Sequence, residues 1–130
     1  MGSLDDLKIL DFSTLLPGPY ATLMLADMGA EVLKISSASR PDIVLDYPPF
    51  IGDTGVSASQ AWLGRNKKTM FLNLKTGEGK AVVKELVKEY DIVLEQFRPG
   101  VMEKLGLGYE DLKAVNPKLI YCSLTGYGRT

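Results

Sequence analysis

Hydrophobic residues gather in five short runs along the chain: Lys8-Ile9-Leu10-Asp11-Phe12, Val32-Leu33-Lys34-Ile35, Met70-Phe71-Leu72, Ile92-Val93-Leu94 and Leu119-Ile120-Tyr121-Cys122-Ser123-Leu124. Most are near-continuous apolar blocks rather than strict alternations, and such blocks predict strands covered on both faces, as in a parallel sheet. Between the runs the spacing turns helical. Ser13 and Thr14 are candidate caps, Pro17 suits a first turn, and Tyr20 to Met28 form a helix stopped by Gly29. Leu23, Met24, Leu25 and Met28 make that helix apolar nearly all round, which predicts burial. Thr76 caps a second helix with Val82, Val83, Leu86, Val87 and Tyr90 as its stripe and Lys80, Lys84, Glu85, Lys88 and Glu89 toward water. Pro99-Gly100 opens a short helix through Leu105, and Tyr109 to Val115 make another that ends before Asn116-Pro117. Strand and helix alternate, so the predicted class is α/β with a doubly wound, mainly parallel sheet of about five strands.

Two stretches break this rhythm. Ser36 to Asn66 carries four of its interruptions as Pro41, Pro48, Pro49 and Gly52, and has little periodicity beyond Ser57 to Trp62. Long irregular connections inside compact domains are usually functional or mobile. The other stretch, Gly126-Tyr127-Gly128-Arg129-Thr130, follows directly on the fifth strand. Ligands of open α/β sheets bind at that carboxyl edge, so a longer fold is expected around it. Met1-Gly2-Ser3 reads as a cloning scar.

Composition narrows the chemistry. The 130 residues carry 15 Lys+Arg against 16 Asp+Glu, a formal charge of −1, which argues against a nucleic-acid partner. No apolar run approaches the roughly 20 residues that span a bilayer. One cysteine, Cys122, builds neither a disulfide nor a zinc knuckle and fits a reducing cytoplasm; inside a strand it reads as a small core residue. The absence of histidine removes imidazole nucleophile pairs and imidazole metal sites. No metal centre is expected.

Three strand-to-helix loops, Ser13 to Gly18, Asn73 to Thr76 and Gln96 to Gly100, should meet at the carboxyl edge, each at a helix N-terminus suited to an anion. The first lacks G-x-G-x-x-G, and no Walker A sequence occurs, so an ordinary dinucleotide or ATP site is not expected. Arg65, Lys67 and Lys68 form a basic cluster before the third strand, fit either for a phosphate or for a solvated strand edge. Arg98 in the fourth loop offers a planar fork for phosphate. Asp27 reads as a structural acid paired with a neighbour. Asp11 and Glu95, at strand ends, are placed to face the cleft.

Particular strings then matter. Leu10-Asp11-Phe12-Ser13, Gly18-Pro19-Tyr20-Ala21 and Leu25-Ala26-Asp27-Met28-Gly29-Ala30-Glu31-Val32-Leu33-Lys34 resemble the opening of the family III CoA-transferases, the CaiB/BaiF family. Arg65-Asn66-Lys67-Lys68 with Leu72-Asn73-Leu74-Lys75 resembles the second block of that family. Glu95-Gln96-Phe97-Arg98-Pro99-Gly100-Val101-Met102-Glu103-Lys104-Leu105-Gly106-Leu107-Gly108 resembles the third, and Asn116 through Gly128 the fourth. The blocks run in order over nearly the whole chain.

The resemblance implies a Rossmann-like portion that binds coenzyme A or its acyl thioesters, within a longer protein that forms interlocked homodimers and uses a carboxylic acid as second substrate. It implies CoA contacts at Leu15, Leu16, Leu72, Asn73, Leu74, Lys75, Gln96, Phe97, Arg98 and Lys104, and turns Arg65, Lys67 and Lys68 toward CoA phosphates. Family members often carry an arginine near Ser37, where this chain has Ser36-Ser37 and places Arg40 later. The implied reaction moves CoA between carboxylic acids through an aspartyl nucleophile expected beyond Thr130. Alpha-methylacyl-CoA racemases share the same binding half, and a non-catalytic nucleotide-binding or assembly module is a third possibility.

Overall fold

A computed structural model describes residues 2–129. In chain order the elements are β1 (Lys8–Asp11), α1 (Pro17–Asp27), β2 (Glu31–Ser36), a single 3-10 turn (Ile43–Asp46), α2 (Ala58–Leu63), β3 (Lys67–Phe71), α3 (Gly77–Val87), β4 (Ile92–Glu95), α4 (Val101–Lys104), α5 (Tyr109–Val115) and β5 (Ile120–Ser123). The strands form one all-parallel sheet in the order β3-β2-β1-β4-β5. The chain starts in the middle, winds outward to β3, returns along α3 and winds out the other way to β5. Right-handed crossovers then require helices on both faces. α1 covers one face, where Ala26 and Ala30 meet Ile9 and Val32. α3, α4 and α5 cover the other, where Val83, Val87, Met102 and Leu112 pack on Leu10, Phe12, Leu33 and Val93. Fully burying each of these larger side chains stabilises the fold by about 1.5–3 kcal/mol, so the second face carries most of the core.

Of the caps read from sequence, Thr76 is present, whereas Ser13 and Thr14 do not cap α1, whose N-cap is Leu16 without a side-chain cap; Ser57 caps α2, which the sequence reading does not name. Thr76 accepts a hydrogen bond from Gly79 N–H at 3.1 Å, and Ser57 accepts one from Gln60 N–H at 2.9 Å. Several expectations need correction. The α1 helix buries one side only: Leu23 and Ala26 are buried, whereas Tyr20, Met24 and Met28 are exposed, with Tyr20 tilted against Trp62. Val82 lies outside the α3 stripe and is exposed. β3 begins at Lys67, three residues before its apolar run, because a strand at the sheet edge pairs through its backbone whatever its side chains are. The outer strands are not covered on both faces, since Phe71 on β3 and Ile120 on β5 are exposed. Cys122 shares the open face of β5 with Ile120 and is exposed rather than a core residue. The long connection is anchored rather than free: Ser57, fully buried, donates its hydroxyl proton to Leu45 C=O at 2.5 Å.

Candidate functional site

The chain leaves β1 toward one sheet edge and leaves β4 toward the other, so a crevice opens between these neighbours at their carboxyl ends. Gln96, just after β4, spans it. Its Nε2 donates to Thr14 C=O at 2.5 Å, and its Oε1 accepts from Gly18 N–H at 3.0 Å. The two loops are thereby clipped together, with Leu15 and Leu16 exposed at the rim. The start of α1 offers few donors to an anion. Pro17 and Pro19 have no N–H, Gly18 N–H goes to Gln96, and Leu15 N–H goes to Asp42. Backbone donors for negative charge are therefore few on the α1 side of this crevice.

Beneath the crevice lies a closed polar network. Asp11, fully buried, accepts from Ser13 N–H at 2.8 Å, from the Ser13 hydroxyl, and from Thr22 Oγ1 at 2.5 Å. Lys67 Nζ donates to Thr22 Oγ1 and Pro19 C=O and stands 3.8 Å from Asp11. Glu95, 3% exposed, plays the matching part under the fourth loop, accepting from Phe97 N–H at 2.9 Å and Ser123 Oγ at 2.5 Å. Asp11 and Glu95 thus do not face the cleft. They are consumed in fixing the loops that border it.

Burial pulls the Lys67 ammonium down from 10.5 to about 8, with the Asp11 carboxylate opposing. Between these values the unfolded chain holds more protons than the folded one, so stability rises as pH climbs through about 8. Tyr90 works the other way: burial, then its bond to Glu31, push its hydroxyl up to about 12, and burial likewise raises Tyr121. Their effect is loss of stability once pH exceeds about 10. Unfolding free energies from urea titration should increase from about pH 7.5 to about pH 9.5 by about 1–2 kcal/mol after solvent screening, and Lys67→Met should abolish the increase. The same increase in the variant would assign it to another group.

Leu15 has a left-handed backbone, φ 62°, uncommon for a side chain of its size. Its N–H is held by both Asp42 carboxylate oxygens at 3.2 and 3.1 Å, and Asp42 in turn pairs with Lys34 Nζ at 2.9 Å. Neither residue stood out in the sequence. A lysine inside the apolar run Val32-Leu33-Lys34-Ile35 was the available signal, because a buried ammonium requires a carboxylate.

The remaining candidates divide by position. Leu72, Asn73, Leu74 and Lys75 follow β3, and Leu72 and Asn73 border a recess of about 170 Å³ with Ser37, Ala38, Ser39 and Phe71. Leu72, Leu74 and Phe97 are partly buried against the core of the α3 side, which fixes their loops. Arg98, Lys75 and Lys104 are exposed, and their side chains make no hydrogen bond or ion pair among the described residues. The three cations expected to cluster before β3 do not share one surface. Arg65 forms a two-pronged pair with Asp27, at 3.1 and 2.6 Å, that holds the Asp27 carboxyl below its usual range. Lys67 points under α1, and Lys68, on the opposite face of the strand, pairs with Glu31 at 3.5 Å. Asp27 is thus the structural acid the sequence suggested. Arg65, Lys67 and Thr69 line a larger cleft of about 470 Å³ on the α1 side, whose cations Lys34, Arg65 and Lys67 each have a carboxylate within 4 Å. Among the described residues no group of acids and cysteine is arranged to hold a metal ion, and no helix is long and apolar enough to cross a membrane.

A sequence profile described as CoA-transferase family III matches residues 4–130. The succinyl-CoA:mesaconate CoA-transferase of Haloarcula marismortui is 44% identical over 133 residues, covering 98% of this chain and 33% of that protein. The succinyl-CoA:glutarate CoA-transferase of Homo sapiens is 41% identical over 128 residues, 98% of this chain and 29% of that protein. A solved CaiB/BaiF family protein from Brucella suis superposes with a TM-score of 0.91 at 40% identity, over 99% of this chain and 35% of its own. The chain spans about a third of the length of these relatives.

Proposed function

Because the chain belongs to CoA-transferase family III, we propose that it forms the N-terminal, coenzyme A-binding portion of an enzyme that moves CoA between carboxylic acids. The observation that carries this reading is the carboxyl-edge crevice with Arg98, a cation without a partner among the described residues, in the loop that leaves β4, while Lys75 after β3 and Lys104 at the end of α4 are likewise unpaired. Coenzyme A brings several phosphate charges, and at this edge the start of α1 offers few free N–H groups, so we assign much of the positive charge to side chains. We assign Leu15, Leu16 and Gln96 to the crevice itself, Phe97 and Arg98 to its fourth-loop wall, and Leu72, Asn73, Leu74 and Lys75 to the outer end. Lys104 lies beyond, at the end of α4. Arg65, Lys67 and Lys68 hold the fold.

The chemistry that follows is acyl transfer. An aspartate outside these residues attacks the thioester carbonyl and expels CoA thiolate, leaving an acyl-aspartyl anhydride. The thiolate attacks the aspartyl carbonyl of that anhydride, so the donor carboxylate leaves and an aspartyl-CoA thioester forms. The acceptor carboxylate attacks this thioester and expels the thiolate again, and the thiolate then takes the acceptor acyl group from the new anhydride and frees the aspartate. This chain's part is to hold CoA so that its thiol end is presented at the crevice and its orientation survives each exchange. The relatives named above are transferases by name, which favours transfer over racemisation by α-proton exchange. The parent enzyme is then a homodimer, as the family likeness implies.

The test is a calorimetric titration of coenzyme A into the chain and into Arg98→Ala. Saturable binding weakened about tenfold or more by the substitution is expected, since a charge-assisted contact to phosphate is lost. A folded chain that binds no CoA, or one whose affinity ignores Arg98→Ala, would overturn the assignment.

A further inference from the structure

A leucine held at φ 62° is strained, and strain of this kind persists only where the surroundings over-determine it. Here the restraint can be named. Asp42 accepts the Leu15 N–H with both carboxylate oxygens, accepts Val44 N–H at 3.2 Å to cap the 3-10 turn, and pairs with Lys34 Nζ at 2.9 Å. The side chains of Lys34 and Asp42 are 6% and 4% exposed, so the pair is held in place by its surroundings. Lys34 is fixed by the β2 register, where it lies opposite Asp11 on β1 and Thr69 on β3. The grip on the first loop is thus referred back to the middle of the sheet.

We propose that the buried Lys34–Asp42 pair is a positioning device for the β1–α1 loop: it imposes the left-handed turn at Leu15 and thereby sets coenzyme A affinity without touching the ligand. This rests on the assignment of CoA to the carboxyl edge given above. Asp42 reaches the loop across 27 residues of sequence, and the same carboxylate that orders Leu15 also starts the 3-10 turn early in the long connection. Leu15 and Leu16 are left exposed at the crevice rim because the turn directs them outward instead of letting them collapse onto the core.

Removing Asp42 alone would strand the Lys34 charge and confuse folding with positioning. Two ion-free variants separate them. Lys34→Met/Asp42→Asn keeps an acceptor oxygen for Leu15 N–H, and Lys34→Met/Asp42→Ala does not. Both should remain folded, because replacing a whole buried pair is far milder than breaking it. Coenzyme A affinity, read by calorimetry, should fall about tenfold in the alanine version relative to the asparagine version. Exchange of the Leu15 amide proton should accelerate in the alanine version alone. Equal CoA affinity in the two would overturn the proposal. Should the unaltered chain bind no CoA, the edge assignment falls by itself, and the amide still decides about the pair: faster exchange only in the alanine version supports it, and equal exchange in both overturns it.

Discussion

Asp11→Ala is expected to destabilise the fold by about 3–5 kcal/mol, a large part of the roughly 5–15 kcal/mol that holds a domain together. The carboxylate is fully buried and serves Ser13 N–H, the Ser13 hydroxyl and Thr22 Oγ1, with Lys67 Nζ at 3.8 Å. Alanine leaves three donors without their acceptor and an ammonium whose side chain is 1% exposed without its counter-charge. Thermal unfolding should begin some 10–20 °C lower, given about 3–5 °C per kcal/mol for a domain of this size. Asp11→Asn should fall between, because it keeps one acceptor and loses the charge. A melting temperature within about 3 °C of the parent in the alanine variant would show that water replaces the network at little cost.

Gly18→Ala should have the second largest effect, and its sign is diagnostic. Helix propensity alone favours alanine over glycine by about 1 kcal/mol. A Cβ at Gly18 would stand 2.2 Å from Ser13 Cβ, 2.3 Å from Ser13 Oγ and 2.6 Å from Gln96 Oε1. Ser13 has no room to yield, since it is fully buried with its hydroxyl held by Asp11. The start of α1 must therefore move away from Ser13, which pulls Gly18 N–H off Gln96 and loosens the clip between the first and fourth loops. The expected outcome is a loss of about 1–3 kcal/mol in stability and at least about tenfold in CoA affinity. A variant more stable than the parent and binding equally well would contradict the close approach of α1 to these loops.

The fold was largely legible because apolar blocks report a parallel sheet directly. β1, β2, β4 and β5 lie within one or two residues of their apolar runs. β3 was read late, because Lys67-Lys68-Thr69 pair through the backbone and have no apolar signature. Composition also misled about burial. Met24, Met28 and Cys122 are apolar by type yet exposed, and Tyr20 is only partly covered by Trp62, a matter of topology that periodicity does not express. The three strand-to-helix loops do follow the carboxyl ends of parallel strands, as the pattern predicts. The network that shapes them was not legible, because Asp42 lies in an aperiodic stretch and nothing local ties it to Leu15 or Lys34. The basic cluster at Arg65, Lys67 and Lys68 shows the same limit: neighbours along a strand alternate between faces, and each found a different carboxylate.

The most direct test of the carboxyl-edge site is to follow backbone amide resonances of the isotopically labelled chain while coenzyme A is added. Shifts should concentrate at residues 13–18, 72–75 and 96–100, with Lys104 joining them. Resonances that stay still there, or that move instead around Arg65, Lys67 and Thr69 in the larger cleft, would contradict the site.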